Sequence, residues 1–250
     1  MTDLHSHILY GVDDGAETIE MTLEMLSMAS KTGTRHLVFT PHCNIPGGYE
    51  NYINDVIVGR FEKVKREIHR NNIDINVYLG MEVFGTLDIC PLIDMGAIIT
   101  LNKSRYMLIE FDFGEDPAVI SEILARVHSM GITPVMAHPE RYIAVQQYPL
   151  MVFDWVTSGC LMQLNRGSVT SKFGQLVKDT AIFLLNHNLI HVCASDAHKP
   201  YARTPVLNDA YDYIEKRYGS DRAQRLFKIN PKNIILNKEI VKSRIILYKE

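Results

Sequence analysis

Short apolar runs alternate with longer amphipathic segments along the whole chain. In the longer segments apolar residues recur every three or four positions, as at Val119, Ile123 and Val127, which is typical of a helix with one buried face. This spacing predicts helices near residues 17–32, 53–68, 119–130, 172–186 and 205–217. The short runs, rich in apolar and β-branched residues, predict seven strands, near residues 2–6, 35–40, 74–82, 105–110, 133–138, 161–165 and 189–195.

The order of these elements indicates an α/β fold. Gly33, Gly131 and Gly159 lie where predicted helices stop before the next strand. Strands that alternate with helices across short connections form mostly parallel sheets. Seven strands without a break at the midpoint favour a closed or nearly closed βα barrel over a doubly wound sheet. We therefore expect one domain, residues 1–250, built as a single seven-stranded barrel.

The composition is that of a globular protein with a sizeable core. Of the 250 residues, 46% are hydrophobic and 22% are charged, and the net charge of −3 argues against nucleic acid as the main partner. No apolar stretch reaches the ~18 residues of a membrane-spanning helix, and the start does not resemble a signal peptide. The four cysteines occur singly, which predicts reduced thiols in a cytoplasmic protein without direct membrane insertion.

Imidazoles and carboxylates recur where the predicted strands end, which is where the active sites of βα barrels form. His5 and His7 are two residues apart on a strand and so point to the same side, and neutral imidazole is a common metal ligand. All but the sixth predicted strand end carry such a group. The candidates are His5, His7, Asp13 or Asp14, His42, Glu82, Glu110, His138, Asp196 and His198.

Each candidate has an ordinary explanation when it is taken alone. An Asp-Asp-Gly run favours a turn, a histidine beside a proline is often a core residue, and many strands end in a solvated glutamate. Their recurrence at one end of the fold favours a metal site, because a buried carboxylate is costly unless it is paired or bound to metal. Nitrogen and oxygen donors without thiolates suit Mn²⁺, Zn²⁺ or iron rather than a structural zinc site.

Taken together, these motifs resemble the polymerase-and-histidinol-phosphatase (PHP) superfamily of metal-dependent phosphoesterases. They are Asp-x-His-x-His at the start, Thr-Pro-His, the strand-end glutamates, His-Pro-Glu-Arg and Ser-Asp-Ala-His. The Val-Asp-Asp-Gly loop, Ser-Arg-Tyr before a Leu-Ile-Glu strand, and Gly-Ile-Thr-Pro-Val are similar to the bacterial manganese-dependent protein-tyrosine phosphatases of capsule and exopolysaccharide operons. The resemblance extends to residue 236 and implies a distorted PHP-type, TIM-like barrel with a three-metal site.

The resemblance also implies a set of metal ligands, namely His5, His7, Asp14, His42, Glu82, Glu110, His138, Asp196 and His198. It selects Asp14 over Asp13, which the spacing alone does not. The expected groups are His5, His7, Glu82 and Asp196 around one ion, His42 and His138 around a second, and Asp14, Glu110 and His198 around a third. The implied cofactor is Mn²⁺, with up to three divalent ions bound and with Zn²⁺, iron and Mg²⁺ as alternatives.

Two arginines follow ligand-bearing strand ends. Arg141 comes three residues after His138, and Arg203 comes five residues after His198. Guanidinium groups pair bidentately with phosphate oxygens and keep their charge, so we expect both arginines to act in catalysis by binding the phosphoryl group. Arg166, after the sixth strand, is a weaker third candidate.

Cys160 and Arg166 have the spacing of the signature in cysteine-dependent tyrosine phosphatases. That chemistry needs a loop whose N–H groups surround the phosphate beneath a thiolate. Residues 161–165 are predicted to form a buried strand without glycine, and a strand uses its N–H groups on its neighbours. We therefore predict that Cys160 is a core residue.

The activity implied by the resemblance is metal-dependent hydrolysis of phosphotyrosine. The substrate is expected to be the phosphorylated, tyrosine-rich tail of a bacterial tyrosine kinase that regulates capsular or exopolysaccharide synthesis, with residues 43–53 bordering the mouth of the barrel. A small-molecule PHP phosphatase such as a histidinol-phosphatase is an alternative. An amidohydrolase-type hydrolase and a non-catalytic metal-binding module fit the residues less well. The sequence leaves open the general acid and whether the chain forms a homo-oligomer.

Overall fold

The computed structural model describes residues 1–246, in which strands and helices alternate. The strands are β1 (Thr2–Asp3), β2 (His36–Phe39), β3 (His42–Cys43), β4 (Asn76–Leu79), β5 (Glu82–Phe84), β6 (Tyr106–Glu110), β7 (Thr133–Ala137), β8 (Leu161–Asn165) and β9 (Val192–Ala194). The α-helices are α1 (Ile19–Lys31), α2 (Asp55–Arg70), α3 (Ile89–Asp94), α4 (Pro117–Ser129), α5 (Ile143–Gln147), α6 (Val152–Thr157), α7 (Arg166–Val169), α8 (Gln175–Asn186), α9 (Asn208–Tyr218), α10 (Ser220–Gln224) and α11 (Asn230–Ile235). Tighter 3-10 turns cover Leu101–Lys103, Pro139–Arg141 and Pro149–Met151, and a π-helical segment covers Arg225–Ile229.

The strands form two parallel sheets. One has the order β1-β2-β4, and the other has the order β3-β5-β6-β7-β8-β9. An isolated parallel bridge joins Ser6 to Ala197. The α/β class and the parallel pairing predicted from the sequence are confirmed, and the five predicted helices are present as α1, α2, α4, α8 and α9.

Residues 1–246 contain nine short strands instead of seven. The predicted second strand, residues 35–40, corresponds to β2, and the additional strand β3 follows Pro41, which has no N–H to continue the ladder. The predicted third strand is interrupted at Gly80, where an added Cβ would lie 2.9 Å from Cδ2 of Leu101. As a result β3 and β5 pair in the second sheet rather than the first.

Three long helices begin after residues that are common at helix N-termini, where their side chains cap the first turn. Thr18 accepts a hydrogen bond from a backbone N–H of α1, and Asn54 accepts two from α2. Asp116 caps α4, whose first residue, Pro117, has no N–H to satisfy. These caps explain why the helical segments begin within a few residues of the positions predicted from their period.

Alternation along the strands separates an inner face from an outer face. On β6, Met107 and Ile109 pack in the large outer cluster against the helices, whereas Leu108 packs in a smaller inner cluster. Because side chains two residues apart share a face, Glu110 ends this strand on the inner side. The inner face therefore leads from an apolar interior to a polar group at the carboxyl end.

The chain after α11 packs against the amino end of β6, opposite the strand ends that carry the candidate ligands. The hydroxyl of Tyr106 donates to the carbonyl of Lys238 at 2.8 Å, and Arg105 pairs with Glu239. Ile240 is buried in the inner cluster. Residues 238–240 thus cover the far end of the fold. The sequence assigns no role to the tail from Lys238, of which residues 247–250 lie outside the described residues. No helix within residues 1–246 is long and apolar enough to cross a membrane.

Candidate metal centre

The nine sequence-predicted ligands lie together, at or just after the carboxyl ends of β1, β2, β4, β6, β7 and β9. They come from the segments after β1 (His5, His7, Asp14), the starts of β3 (His42) and β5 (Glu82), the end of β6 (Glu110), and the residues after β7 (His138) and β9 (Asp196, His198). All except Asp14 and His42 are buried. Their side chains form three overlapping groups.

Group one consists of His5, His7, Glu82 and Asp196. Nε2 of His5 lies 3.0 Å from Oε1 of Glu82 and 3.4 Å from Oδ1 of Asp196. Nε2 of His7 lies 3.1 Å from Oε2 of Glu82. The two histidines therefore aim the same ring nitrogen at the same pair of carboxylates, as their spacing on the first strand predicts.

Group two consists of His42, Glu82, Glu110 and His138. Nδ1 of His42 lies 2.7 Å from Oε1 of Glu110 and 3.2 Å from Oε2 of Glu82. Nε2 of His138 lies 3.2 Å from Oε1 of Glu82. Glu82 thus belongs to groups one and two, which is the position of a carboxylate that can bridge two ions.

Group three consists of Asp14, His42 and His198. Oδ1 of Asp14 lies 3.6 Å from Nε2 of His42 and 3.4 Å from Nε2 of His198. His7 is close enough to share this group. Because the two ring nitrogens of His42 point in different directions, Nε2 faces group three while Nδ1 faces group two.

Glu110 differs from the grouping expected from the sequence. It lies beside His42 in group two and not with Asp14 and His198. The reason is the strand order: β6 pairs with β5, so Glu110 is a neighbour of the Glu82 strand. Asp14 and His198 belong to segments after β1 and β9, which meet at the bridge between Ser6 and Ala197.

Backbone strain accompanies two of the candidate ligands. His138 has φ +36° and Asp196 has φ +52°, in the left-handed region that residues with a Cβ rarely adopt. Such conformations persist where the surrounding contacts over-determine them, and they cluster at functional sites. Here each one redirects the chain at the point where a strand ends and its ligand turns inward.

Several buried atoms of the three groups lie close to one another but make no hydrogen bond of acceptable geometry within residues 1–246, namely Nδ1 of His42, Oε1 of Glu110, Oδ1 of Asp196 and Nε2 of His198. Nε2 of His5 and Nε2 of His7 face each other at 3.1 Å. Since most buried polar atoms in proteins are hydrogen-bonded, unpartnered donor atoms that converge in this way fit shared cations. The residues present therefore fit divalent ions that accept nitrogen and oxygen ligands.

The buried imidazoles and carboxylates of the site shift each other's pKa values toward the charged forms. Burial by itself lowers the pKa of His7, but the carboxylates of Asp13 and Glu82 outweigh it and raise that pKa well above its ordinary value. Burial raises the pKa of Glu82, and the neighbouring histidines, chiefly His5, bring it well below the usual range. Protonated imidazoles thus balance the buried carboxylates, and divalent cations do the same when the imidazoles are neutral.

Comparison with known proteins identifies the family. Residues 1–236 match the sequence model described as capsular polysaccharide synthesis, CpsB/CapC. The chain belongs to the CpsB/CapC family. The resemblance to the phosphatases of capsule operons is thereby confirmed.

Relatives of this CpsB/CapC protein cover most of its length. It is 36% identical over 245 residues to tyrosine-protein phosphatase CpsB of Streptococcus pneumoniae, covering 96% of this chain and 100% of the relative. It is 33% identical over 221 residues to tyrosine-protein phosphatase YwqE of Bacillus subtilis, covering 88% and 86%. A crystal structure from the study of YwqE and CpsB, described as unique metal-dependent tyrosine phosphatases, matches at a TM-score of 0.92, with 29% identity and 100% of both chains covered. The lactonase Lmo2620 of Listeria monocytogenes shares the fold, with a TM-score of 0.56, 13% identity and 95% of each chain covered.

In the CpsB/CapC protein two arginines border group one. Nη1 of Arg141 lies 3.5 Å from Oδ2 of Asp196, and Nη2 of Arg203 contacts the same oxygen. The two side chains are 20% and 33% exposed, so each guanidinium reaches from the buried carboxylate toward solvent. Both sequence-predicted arginines are therefore located where they can meet an anion that approaches the ligands.

Arg166 is engaged elsewhere. Its Nε and Nη2 pair with the two carboxylate oxygens of Asp209 at 2.8 and 2.6 Å, and its Nη1 donates to Thr204. This bidentate salt bridge ties α7 to α9. These contacts anchor Arg166 to the neighbouring segment, and its role as a third phosphate-binding arginine stays a prediction.

Cys160 lies in the outer hydrophobic cluster, and burial raises the pKa of its thiol to about 12. Residues 161–165 form β8, as predicted, and pair with β7 and β9 on either side. The backbone N–H groups in this stretch are thus used within the fold: the N–H of Met162 donates to Nδ1 of His191, that of Asn165 donates to Oε1 of Glu140, and β8 is paired on both sides. This arrangement gives neither the thiolate nor the phosphate-binding loop of a cysteine-dependent phosphatase.

Sequence reasoning missed two polar residues of β8 that contact candidate ligands. Oε1 of Gln163 lies 2.9 Å from Nδ1 of His5, and Nδ2 of Asn165 donates to Oδ2 of Asp196 at 2.5 Å. Both are on the inner face of the sixth predicted strand, whose end carries no ligand of its own. Their alternation with the apolar residues of β8 is the signal that identifies them.

Proposed function

We propose that this chain is a metal-dependent protein-tyrosine phosphatase and that His5, His7, Asp14, His42, Glu82, Glu110, His138, Asp196 and His198 are its metal ligands. The observation that carries the proposal is the convergence of these imidazoles and carboxylates in three overlapping groups beside two arginines. The names of the relatives, tyrosine-protein phosphatases CpsB and YwqE, support the reaction.

The ions that suit this donor set are divalent, and Mn²⁺ is the one that we propose. Groups one and two would each hold one ion with Glu82 between them, and group three would hold a third ion. When bound, such ions supply an activated water and draw charge from the phosphoryl oxygens. Oε1 of Gln163, which accepts from Nδ1 of His5, and Nδ2 of Asn165, which donates to Asp196, would keep the imidazole and carboxylate atoms aimed at the ions.

The arginines contribute to the reaction through their charge and geometry. Arg141 and Arg203 would bind the non-bridging oxygens of the phosphoryl group and stabilise the negative charge that spreads over them in the transition state. Their contacts to Asp196 hold both guanidinium groups at the edge of group one. The phenolate that leaves from phosphotyrosine has a conjugate-acid pKa of about 10 and needs less protonation than an alkoxide.

We further propose that the substrate is the phosphorylated, tyrosine-rich tail of a bacterial tyrosine kinase of capsule or exopolysaccharide synthesis, met in the cytoplasm. The family's description, capsular polysaccharide synthesis, supports this partner. The ring of Tyr49, in the segment 43–53, stacks on His42 with its centre 6.0 Å away, and its side chain is 38% exposed. This exposed ring is available to contact a polypeptide that binds beside group three.

The two sheets are proposed to form one distorted barrel in a single domain. The N–H of His7 donates to the carbonyl of Ala197 at 2.8 Å, and the N–H of Asp196 donates to the carbonyl of His5 at 2.9 Å. These bonds connect the first strand segment to the last. The N–H of Gly80 donates to the carbonyl of Phe39, which links the two sheets across the interrupted strands.

The deciding experiment measures phosphate release with Mn²⁺ from a phosphotyrosine peptide, a phosphoserine peptide of the same sequence and histidinol phosphate. We expect the phosphotyrosine peptide to give the highest kcat/KM, and chelation to abolish turnover until Mn²⁺ is restored. A higher kcat/KM on histidinol phosphate would contradict the substrate and leave the metal-dependent phosphoesterase in place. Full activity under chelation would refute the metal centre.

Two variants connect that activity to the arginines. Arg141→Ala and Arg203→Ala should each lower kcat/KM by about 10²- to 10³-fold, the loss expected for one preorganised donor to the transition state. Their metal content, measured by elemental analysis, should equal that of the wild type. Arg105→Ala, which removes an arginine from the surface ion pair at the far end of the fold, serves as the control and should leave kcat/KM unchanged.

A further inference from the structure

Arg141 lies against two aromatic side chains from distant parts of the chain. Its guanidinium carbon is 4.4 Å from the ring centre of Phe113, which follows β6, and 4.7 Å from that of Phe173, which precedes α8. Both distances are well inside the limit of about 6 Å for a cation–π interaction. The contacts bring together residues that are far apart in the sequence and that no motif connects.

Each ring is fixed by its own surroundings. Phe113 packs edge-on against Tyr142, with ring centres 6.0 Å apart, and its carbonyl accepts the N–H of Ile143 at 2.8 Å. Phe173 lies directly on Gly167, where an added Cβ would be 2.4 Å from Cε2 of the ring. A residue larger than glycine at position 167 would displace the ring of Phe173, so the position of that ring depends on Gly167.

The rings can orient Arg141 without occupying its N–H groups. Within residues 1–246 its ion pair is the 3.5 Å contact to Asp196, whose Oδ2 is held more closely by Arg203. A close carboxylate partner would fix the guanidinium but would also use the donors that an incoming phosphate needs. An aromatic face attracts the cation through its quadrupole and leaves the in-plane donors available.

We propose that Phe113 and Phe173 are positioning residues that orient Arg141 toward the phosphoryl group, and that Gly167 provides the space that Phe173 requires. Phe173 and Arg203 also line a cavity of about 410 Å³ beside the metal centre, so the ring and the second arginine border the same space. The inference rests on the proposed phosphatase function. It adds residues to the site that neither metal binding nor the phosphate contact identifies.

The main test replaces Phe173, because Phe113 also packs against the candidate ligand His138. In the manganese-loaded protein, Phe173→Leu should raise the KM for a phosphotyrosine peptide and the inhibition constant of inorganic phosphate by about 3- to 30-fold, as expected for loss of a cation–π contact. Its metal content should stay at the wild-type value. Phe173→Tyr, which keeps the aromatic face, should restore both constants to within about twofold of the wild type.

Phe183→Leu is the matched control. It makes the same substitution on α8, where the ring stacks on His187 at 4.0 Å instead of on an arginine. Neither KM nor the inhibition constant of phosphate should change in this variant. A change as large as that of Phe173→Leu would mean that loss of any ring of this kind disturbs the fold, and would overturn the positioning role.

A double-mutant cycle separates positioning from packing. In an Arg141→Ala background, Phe173→Leu should have no further effect, since no guanidinium remains to be oriented. Gly167→Ala should reproduce the Phe173→Leu effect only when Arg141 is present, and it takes the place of Phe173→Leu if that variant does not fold. The proposal is overturned if Phe173→Leu leaves both constants unchanged, if Phe173→Tyr does not restore them, or if the effect persists in Arg141→Ala.

Failure of the proposed function gives a different result from failure of this inference. A wild-type protein that does not hydrolyse the phosphotyrosine peptide with Mn²⁺ refutes the phosphatase assignment. Calorimetric binding of inorganic phosphate to the same variants then still decides the role of Phe173. Weaker binding to Phe173→Leu than to the wild type supports positioning, whereas equal binding, or no binding to either, overturns it.

Discussion

Asp13 and Asp14 are adjacent in the chain, yet their carboxylates have different partners. Oδ2 of Asp13 lies 2.7 Å from Nδ1 of His7 and accepts the backbone N–H of His42 at 3.1 Å. Oδ1 of Asp14 faces ring nitrogens of His42 and His198. The geometry favours Asp14 as a ligand and Asp13 as the residue that orients the ring of His7.

Asparagine variants of the two aspartates should therefore differ in how they bind metal. Asp14→Asn is expected to lose one ion per chain at saturating Mn²⁺, because group three loses its only carboxylate. Asp13→Asn is expected to keep all its ions with an affinity about 10- to 100-fold lower, the usual cost of losing a partner that orients a ligand. Metal titration followed by elemental analysis measures both. The opposite pattern would make Asp13 the ligand.

The thiol of Cys160 should be dispensable for activity. It is buried, its pKa is raised to about 12 by that burial, and it lies away from the three groups in the outer cluster. Cys160→Ser should keep kcat/KM within about twofold of the wild type, as for substitutions remote from a site. Kinetics on the phosphotyrosine peptide test this, with circular dichroism to verify folding. A folded but inactive Cys160→Ser protein would mean that the chemistry depends on the thiol.

At the scale of elements, the loop between β1 and α1 has a shape on which the site depends. The N–H of Ala16 donates to the carbonyl of His7 at 2.9 Å, which folds the loop back onto the ligand segment. Nδ2 of Asn51 donates to the carbonyls of Val12 and His42 at 2.8 and 2.9 Å. The segment 43–53 thus holds together two pieces of chain that contribute ligands to group three.

Gly15, in this loop, has no space for a side chain. An added Cβ would lie 1.7 Å from the carbonyl oxygen of His7, so Gly15→Ala must push the loop away from the segment that carries His7. We expect it to lower the free energy of unfolding by about 3 kcal/mol, the upper end for overpacking, and to weaken Mn²⁺ binding. Denaturant unfolding and metal titration measure the two effects.

Gly59→Ala is the control for this prediction. Gly59 lies inside α2, and an added Cβ would meet nothing within 4 Å. The same substitution there should stabilise the protein by about 1 kcal/mol through helix propensity and leave metal binding unchanged. If Gly15→Ala were as harmless as Gly59→Ala, the close approach of the loop to His7 would not be needed.

At the scale of the whole molecule, metal binding is coupled to the protonation of the candidate ligand histidines. Burial lowers the pKa values of His5, His7 and His42, but nearby carboxylates outweigh it and leave all three raised. Burial and the neighbouring His7 lower the pKa of His198. A histidine binds metal through an unprotonated ring nitrogen, so the first three compete with protons over a higher pH range than His198 does.

Mn²⁺ binding should therefore release protons near neutral pH and weaken as the pH falls. The sign follows from the raised pKa values: acidification protonates His5, His7 and His42 in the metal-free protein before an ordinary histidine would be protonated. Calorimetry at pH 7 in two buffers of different ionisation enthalpy measures the number of protons released. Identical binding enthalpies in the two buffers would contradict the prediction. His36→Gln, which removes a histidine outside the three groups, should leave the proton count unchanged.

Much of the site could be predicted because ligand chemistry depends on residue type and on position relative to strand ends. The spacing of His5 and His7 puts two imidazoles on one side of a strand, and the glutamates end apolar runs, so their location follows from local pattern alone. The partners Gln163 and Asn165 could not be singled out in the same way. A side-chain amide within a strand is recognised as part of the site only when the residue that it contacts is known, and His5 and Asp196 are far from β8 in the sequence.

The sequence by itself determined the order of strands and helices, the parallel pairing and the residue types at the strand ends, because period, caps and side-chain chemistry act over short stretches of chain. Only the tertiary structure decided that Glu82 is shared by two groups, that Glu110 joins His42, and that Arg166 is bound internally. The physical reason is that such contacts join residues from separate βα units. Their distances depend on which strands pair, and that pairing is not encoded in a local pattern.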